Sequence, residues 1–146
     1  MELIVFIGLQ ASGKSSFYAQ KFSNTHIRIN LDMLKTRHRE KILFQACLEA
    51  KQPVVIDNTN PTIEDRQRYL VVAREQKFSV IGYYFNSTLD DCLKRNDRRD
   101  RKIPVVGILS THKKLQLPSY QEGFDQLHYV SINSDNQFSI EEWDAV

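Results

Sequence analysis

Eight residues near the N-terminus carry the clearest chemistry: Gly8-Leu9-Gln10-Ala11-Ser12-Gly13-Lys14-Ser15. They fit G-x-x-x-x-G-K-[ST], a spacing that cradles phosphate. Gly8 and Gly13 let the backbone turn sharply and approach phosphate oxygens. Exposed backbone N–H groups and the N-terminus of a following helix then form an anion site. In that arrangement Lys14 reaches the β- and γ-phosphates of a nucleoside triphosphate and Ser15 offers its hydroxyl to Mg²⁺. Gln10, Ala11, Ser12, Gly13 and Ser16 line the same cradle. The bland alternative is a glycine-containing turn before an ordinary helix. The flanking sequence argues for the phosphate site, because an apolar run, Leu3 to Ile7, precedes it and a helix-compatible stretch, Lys14 to Phe22, follows.

Phosphoryl transfer further needs metal support, an activated acceptor and positive charge around the moving group. Asp57 ends the apolar run Val54-Val55-Ile56, where an acidic residue supports magnesium; the alternative is a turn or helix-capping aspartate, and the placement at a strand end favours the site role. Asp32 stands just beyond His26 to Ile29, placed either to take a proton from an acceptor hydroxyl or to cap a long helix, two roles that are compatible. Lys94, Arg95, Arg98, Arg99, Arg101 and Lys102 form a basic cluster. Arginines on a mobile segment there would close over the γ-phosphate; the alternative is a solvated helix end favoured by the dipole. A second basic group, Lys35, Arg37, His38, Arg39 and Lys41, reads more simply as a solvated helix face than as a path for a polyanion. Tyr83, Tyr84 and Phe85 sit in a strand-like run, where alternate members pack into a core. Trp143 is ambiguous between packing and ligand contact.

The elements that must hold these groups alternate between strand and helix. Strands are expected at residues 3–7, 26–29, 54–56, 78–85 and 127–132. Helices are expected at 14–22, 31–51, 60–76 and 88–96, with another opening at Pro104 and ending near Leu117-Pro118. Asn60-Pro61 reads as a cap and first turn, and Ser139 as the cap of a short terminal turn with Glu141 and Glu142. Such alternation implies a mainly parallel sheet with both faces covered. Ligands in such sheets bind beyond the carboxyl ends of the strands, where Gly8 to Ser15, Asn30 to Asp32, Asp57 to Asn60 and Asn86 to Thr88 all fall.

A chain of 146 residues with 41% hydrophobic and 26% charged residues is of single-domain size and globular composition. The net charge of +2 supplies no global basic field, so a nucleic-acid partner has to be met by a local patch. No apolar run approaches the ~20 residues that span a bilayer, and the N-terminal apolar run reads as a strand rather than a secretion signal. Cys47 and Cys92 read as reduced buried residues of a cytoplasmic protein, and His26, His38, His112 and His128 lack metal-ligand spacing.

Taken together these stretches resemble the kinase domain of the polynucleotide 5′-hydroxyl kinases, which includes the kinase half of polynucleotide kinase/phosphatases. The shared segments are Gly8 to Phe17, Asn30-Leu31-Asp32, Val54 to Pro61 with Arg66 and Tyr69, Lys94 to Asn96 with Arg98 and Arg99, Ile103-Pro104, and Pro118 with Glu122-Gly123-Phe124. They occur in the family's order along nearly the whole chain. The resemblance implies an α/β fold of the P-loop NTPase type: a parallel sheet of about five strands, helices on both faces, one domain over 1–146 and a basic lid near 94–103. It implies ATP and Mg²⁺ as cofactors and γ-phosphoryl transfer to a 5′-hydroxyl of DNA or RNA. Asp32 matches the general base. Lys14 and Ser15 match the phosphate lysine and metal hydroxyl. Arg95 and Arg99 match the lid arginines, with Arg98 as an alternative register. Asp57, Asn58 and Thr59 match the segment beside metal and acceptor.

Gln10-Ala11 and Ser16 stand where many relatives carry Pro-Gly and threonine, changes that leave the anion site intact. Lys35 stands where some carry an arginine on the acceptor side. Kinases of small metabolites or nucleosides, and non-catalytic ATP-binding regulatory modules, share the same loop and lid and are the competing expectations.

Overall fold

The structure, a computed structural model, describes residues 1–143. A six-stranded sheet runs in the order β2-β3-β1-β4-β5-β6. Its strands are β1 Glu2–Ile7, β2 Ile27–Ile29, β3 Val54–Ile56, β4 Ser79–Phe85, β5 Gln126–Ile132 and β6 Phe138–Glu142. The first five are parallel, and β6 pairs antiparallel with β5. The helices are α1 Lys14–Lys21, α2 Leu31–Leu34, α3 Arg37–Glu49, α4 Ile63–Glu75, α5 Leu89–Asp97 and α6 Val105–Lys114, with a 3-10 turn at Tyr120–Glu122. The expected α/β architecture is therefore present, with an added edge strand.

Strand β1 is apolar and buried from Leu3 to Ile7 because both of its faces are covered there. Leu3, Val5 and Ile7 pack with Phe44, Leu48, Tyr69, Leu70 and Ala73 of α3 and α4. Ile4 and Phe6 point the other way, toward Phe17 of α1 and Phe85. This is the period-two alternation of a strand. Phe17 meets Phe6 and Phe85 edge-on at centroid distances of 5.8 and 5.3 Å, a preferred geometry for aromatic pairs. Tyr83 and Phe85 join that cluster, whereas Tyr84 faces Trp143 edge-on at 5.5 Å, so Trp143 is packed.

Four local expectations need correction. The long helix from Leu31 is interrupted: Lys35 adopts a φ of 75°, and Thr36 starts α3 by accepting from the Arg39 N–H at 3.1 Å. The cap of α2 is Asn30, whose Oδ1 accepts from the Met33 N–H at 3.0 Å, so Asp32 is not a cap. Helix α4 is capped by Thr62 rather than Asn60, because Asn60 is committed elsewhere: its amide donates to the Phe6 carbonyl at 2.8 Å. Residues around Ser139 form β6 rather than a turn, since the open edge of β5 offers them a ladder from Ile132–Phe138 to His128–Glu142.

Candidate functional site

The carboxyl ends of β1, β2 and β3, together with the α5–α6 connection, enclose a cleft of about 770 Å³. Its walls include Gln10, Ala11, Gly13, Lys14, Ser15 and Ser16 from the first loop. Asp32, Lys35, Asp57, Asn58 and Thr59 come from the next two strand ends, and Arg95 and Arg99 from the basic segment. Three of the residues expected at the site lie off these walls. Gly8 donates its N–H to the Thr59 carbonyl at 3.0 Å, which removes it as an anion donor. A Cβ on Gly8 would lie 2.9 Å from that of Phe85, so the glycine serves close packing. Ser12 is buried under the loop and accepts from Lys14 Nζ at 3.3 Å. Arg98 ends α5 and is exposed outside the cleft, leaving Arg95 and Arg99 as the arginines that line it.

The loop is built around a cation. Lys14 is only 8% exposed, and its Nζ donates to the carbonyls of Gly8 and Leu9 as well as to Ser12. Burial pushes its pKa down to about 8; Asp57 and Asp32 pull back, while Arg99 adds to the depression. An ammonium held among dipoles, with no carboxylate in contact, gains from an arriving anion. Helices α2 to α5 each have a side-chain cap, whereas α1 has none at Gly13, whose φ is 98°. The amides at the start of α1 are thus left for a ligand. The residues present fit a triphosphate.

They also fit a magnesium ion. Mg²⁺ takes hard oxygen ligands, commonly one or two protein groups plus substrate phosphates. Ser15 Oγ lies 3.2 Å from Asp57 Oδ2 beside the phosphate loop, although no set of three His, Cys, Asp or Glu side chains that could hold a metal occurs among the described residues. The Asp57 carboxylate is 1% exposed and accepts a second bond, from Arg28 Nε at 2.8 Å. Arg28 Nη2 also donates to Ser15 Oγ at 3.0 Å.

Sequence reasoning passed over Arg28. A signal was available: Arg28 alternates with the buried Ile29 in a strand beside the one that ends at Asp57, so its side chain has to meet the opposite face. Two further groups were missed or undervalued. Gln10 Nε2 donates to Thr111 Oγ1 at 2.9 Å and so ties the phosphate loop to α6, with its Oε1 buried and without a hydrogen-bond partner. Arg37 lies on the acceptor side rather than on a free helix face. Its Nη1 donates to Glu40 Oε1 at 2.9 Å and to the Tyr69 hydroxyl at 3.0 Å. Asn58 Nδ2 donates to Glu40 Oε2 at 3.0 Å, and Asn58 Oδ1 accepts from the Leu31 N–H at 2.8 Å. Burial, then the charge of Glu40, pushes the Tyr69 phenol up to about 12, so the phenol keeps its proton across the ordinary pH range. The strand end beneath Asn58 and the turn bearing Asp32 are thereby held in register.

The basic segment rests on the loop. Arg95 Nη1 donates to the Ala11 carbonyl at 3.4 Å and to Ser87 Oγ at 3.2 Å. Asn96 clasps Ile103 twice, its Nδ2 to the carbonyl at 2.7 Å and its Oδ1 from the N–H at 2.8 Å, which closes the connection containing Arg99. Cations from α5 and its connection thus face the phosphate cradle, and an exposed carboxylate, Asp32, faces it from the other wall.

The family described as AAA domain matches residues 35–116. The bifunctional polynucleotide phosphatase/kinase of Schizosaccharomyces pombe is 30% identical over 139 residues, which cover 88% of this chain and 33% of that protein. The L-seryl-tRNA(Sec) kinase of Methanococcus maripaludis is 28% identical over 160 residues, covering 96% of this chain and 62% of that protein. The chain therefore spans about a third of the first relative's length. Among solved structures, Chaetomium thermophilum Kti12 in complex with ADP-AlF3 superposes with a TM-score of 0.69 over 92% of both chains at 17% identity, a likeness of fold.

Proposed function

The chain belongs to the AAA domain family, and from that premise we propose that it is an ATP-dependent kinase of nucleic-acid 5′-hydroxyl ends. One observation carries the proposal: a phosphate cradle and an exposed carboxylate line the same cleft, with basic groups at both ends. The polynucleotide phosphatase/kinase relative supports the choice of acceptor.

In this reading the backbone of residues 10–16 and Lys14 bind the β- and γ-phosphates, and Ser15 with Asp57 would hold Mg²⁺, which would supply charge neutralisation. Asp32 accepts the proton of the attacking 5′-hydroxyl. Arg95 and Arg99, on a lid spanning roughly 94–103, stabilise the charge that develops on the transferred group. Lys35, Asn58 and Thr59 form the acceptor wall. The domain extends over 1–146, the last three residues of which lie outside those described. No helix among the described residues is long and apolar enough to cross a membrane. The free buried cysteines Cys47 and Cys92 suit a reducing compartment such as the cytoplasm.

The test is transfer from γ-labelled ATP, with Mg²⁺, to a panel of 5′-hydroxyl DNA, 5′-hydroxyl RNA, seryl-tRNA, nucleosides and sugars. Labelling of the oligonucleotide ends, weakening as salt rises, is expected, because phosphate contacts release counterions. Labelling confined to nucleosides or sugars, unaffected by salt, would overturn the choice of acceptor. The seryl-tRNA kinase relative and the net charge of +2 favour a second reading, a kinase of another hydroxylated acceptor, which the same panel separates.

A further inference from the structure

The place a metal ion would take beside Ser15 Oγ is partly claimed by a guanidinium. Arg28 stands in the middle of β2, with its backbone paired against Val55 of β3. It reaches the opposite sheet face from Ile29 and donates from Nε to Asp57 Oδ2 at 2.8 Å and from Nη2 to Ser15 Oγ at 3.0 Å. Ser15 Oγ has its own proton directed at the same carboxylate oxygen, 3.2 Å away. The three groups close a triangle in which the serine lone pairs face a cation and Asp57 is neutralised without metal.

The Asp57 carboxylate needs such a partner. It is 1% exposed, and an unpaired buried carboxylate is costly. The Arg28 side chain, by contrast, is 27% exposed at its rim and can swing toward water. A dication held by Ser15 Oγ and Asp57 would share those oxygens with the Arg28 guanidinium and stand beside a like charge. The two cations are therefore competitors for one pair of oxygens.

We propose that Arg28 is a positioning residue that excludes free metal from the Ser15–Asp57 pair and gives way only when the metal arrives with nucleotide phosphates. The proposal rests on the reading that Ser15 and Asp57 hold the metal. Arg28 keeps the pair aligned before nucleotide binds, and the negative charge of the triphosphate tips the competition toward the dication. The device favours loading of the metal–nucleotide complex as one unit.

Two measurements other than turnover test it. Mn²⁺ binding to the full chain without nucleotide, followed by electron paramagnetic resonance, is expected to be weak in the wild type and about tenfold tighter in Arg28→Gln, the size of a typical coupling between two ligands. Binding equal to or weaker than wild type would overturn the proposal. Mn²⁺ binding in Arg28→Gln that survives a second change, Asp57→Asn, would overturn the metal reading itself. Loss with Asp57 but no tightening would sink the Arg28 inference alone. Should the variant fold poorly, the wild type suffices. Its Arg28 Nε–H nuclear magnetic resonance signal is expected to be unchanged by Mg²⁺ alone and to shift when Mg²⁺ and a non-hydrolysable ATP analogue are added together. A shift with Mg²⁺ alone, or none with both, would overturn the proposal.

Discussion

Two arginine–carboxylate pairs in this protein have the same chemistry and opposite settings. Arg66 and Glu122 are sealed, at 0% and 3% side-chain exposure, and joined by two bonds, Nε to Oε1 at 2.7 Å and Nη2 to Oε2 at 3.0 Å. The remaining guanidinium nitrogen donates to the carbonyls of Asn60 and Gln116 at 3.0 and 3.1 Å. Every polar atom has a partner, so the pair fastens the loop after β3 to the segments after α6. Arg28 and Asp57 share a single ion-pair contact at the cleft, with the arginine partly in water and its second contact on a hydroxyl a ligand can claim. The difference teaches how to tell a fastener from a movable part. A charge pair that is saturated and dry holds the fold, and one left with an exchangeable contact beside a ligand site is available to chemistry.

The contrast is most exposed to failure at Arg66. Arg66→Ala leaves Glu122 buried and alone and is expected to cost about 3–5 kcal/mol in urea denaturation. Arg28→Gln, whose arginine has access to water, is expected to cost markedly less, and equal losses would erase the distinction. Asp32 extends the comparison to an exposed carboxylate that, among the described residues, has no arginine in an ion pair with it. Asp32→Asn is expected to lower transfer by roughly 10²–10⁴-fold while nucleotide affinity stays unchanged, measured by single-turnover labelling and calorimetry. Retained transfer would remove Asp32 from the chemistry.

Among the described residues Lys14 is a buried cation without a carboxylate in contact, and pH separates it from both pairs. Its folded pKa of about 8 lies below the ordinary lysine value of 10.5. Between those values the unfolded chain holds the proton that the folded protein has released, so stability is expected to rise with pH from about 8 to 10.5 in denaturation series. A bound triphosphate favours the protonated lysine. Nucleotide affinity should therefore fall, by up to about tenfold per pH unit, as pH rises above 8. Lys14→Met should abolish both slopes. The smallest effect is expected at Lys94 and Asp90, a pair 2.9 Å apart with both side chains mostly in water: Lys94→Ala should leave the thermal midpoint unchanged.

Much of the site was legible because its signals are local. The apolar run of β1 and the polar residues just past β1, β2 and β3 need only near neighbours to be read, and Gln10, Asp32 and Asp57 from those segments line one cleft, whereas Gly8 and the segment past β4 do not. The break at Lys35 was hidden because helical spacing continues through it. Only the Asn30 and Thr36 caps, each competing for a different set of amides, divide α2 from α3. Strand β6 was hidden because its pairing depends on the open edge of β5. Arg66 was noticed through resemblance, but its bonds to residues 50 to 56 positions away lie beyond any periodicity.

The amino-acid order by itself determined a phosphate-cradling turn between a buried strand and a helix, and an alternation of strands and helices that places polar loops on one sheet edge. Those outcomes follow from backbone geometry and from the burial of apolar faces, which act over a few residues at a time. The tertiary structure decided which cation faces which oxygen. Parallel pairing of β2 with β3 sets Arg28 beside Asp57, and the fold of the α5–α6 connection turns Arg95 and Arg99, but not Arg98, toward the cradle. Charge interactions act at contact distances of a few ångströms, and residues far apart in the chain reach such distances only once strand order and crossovers are fixed.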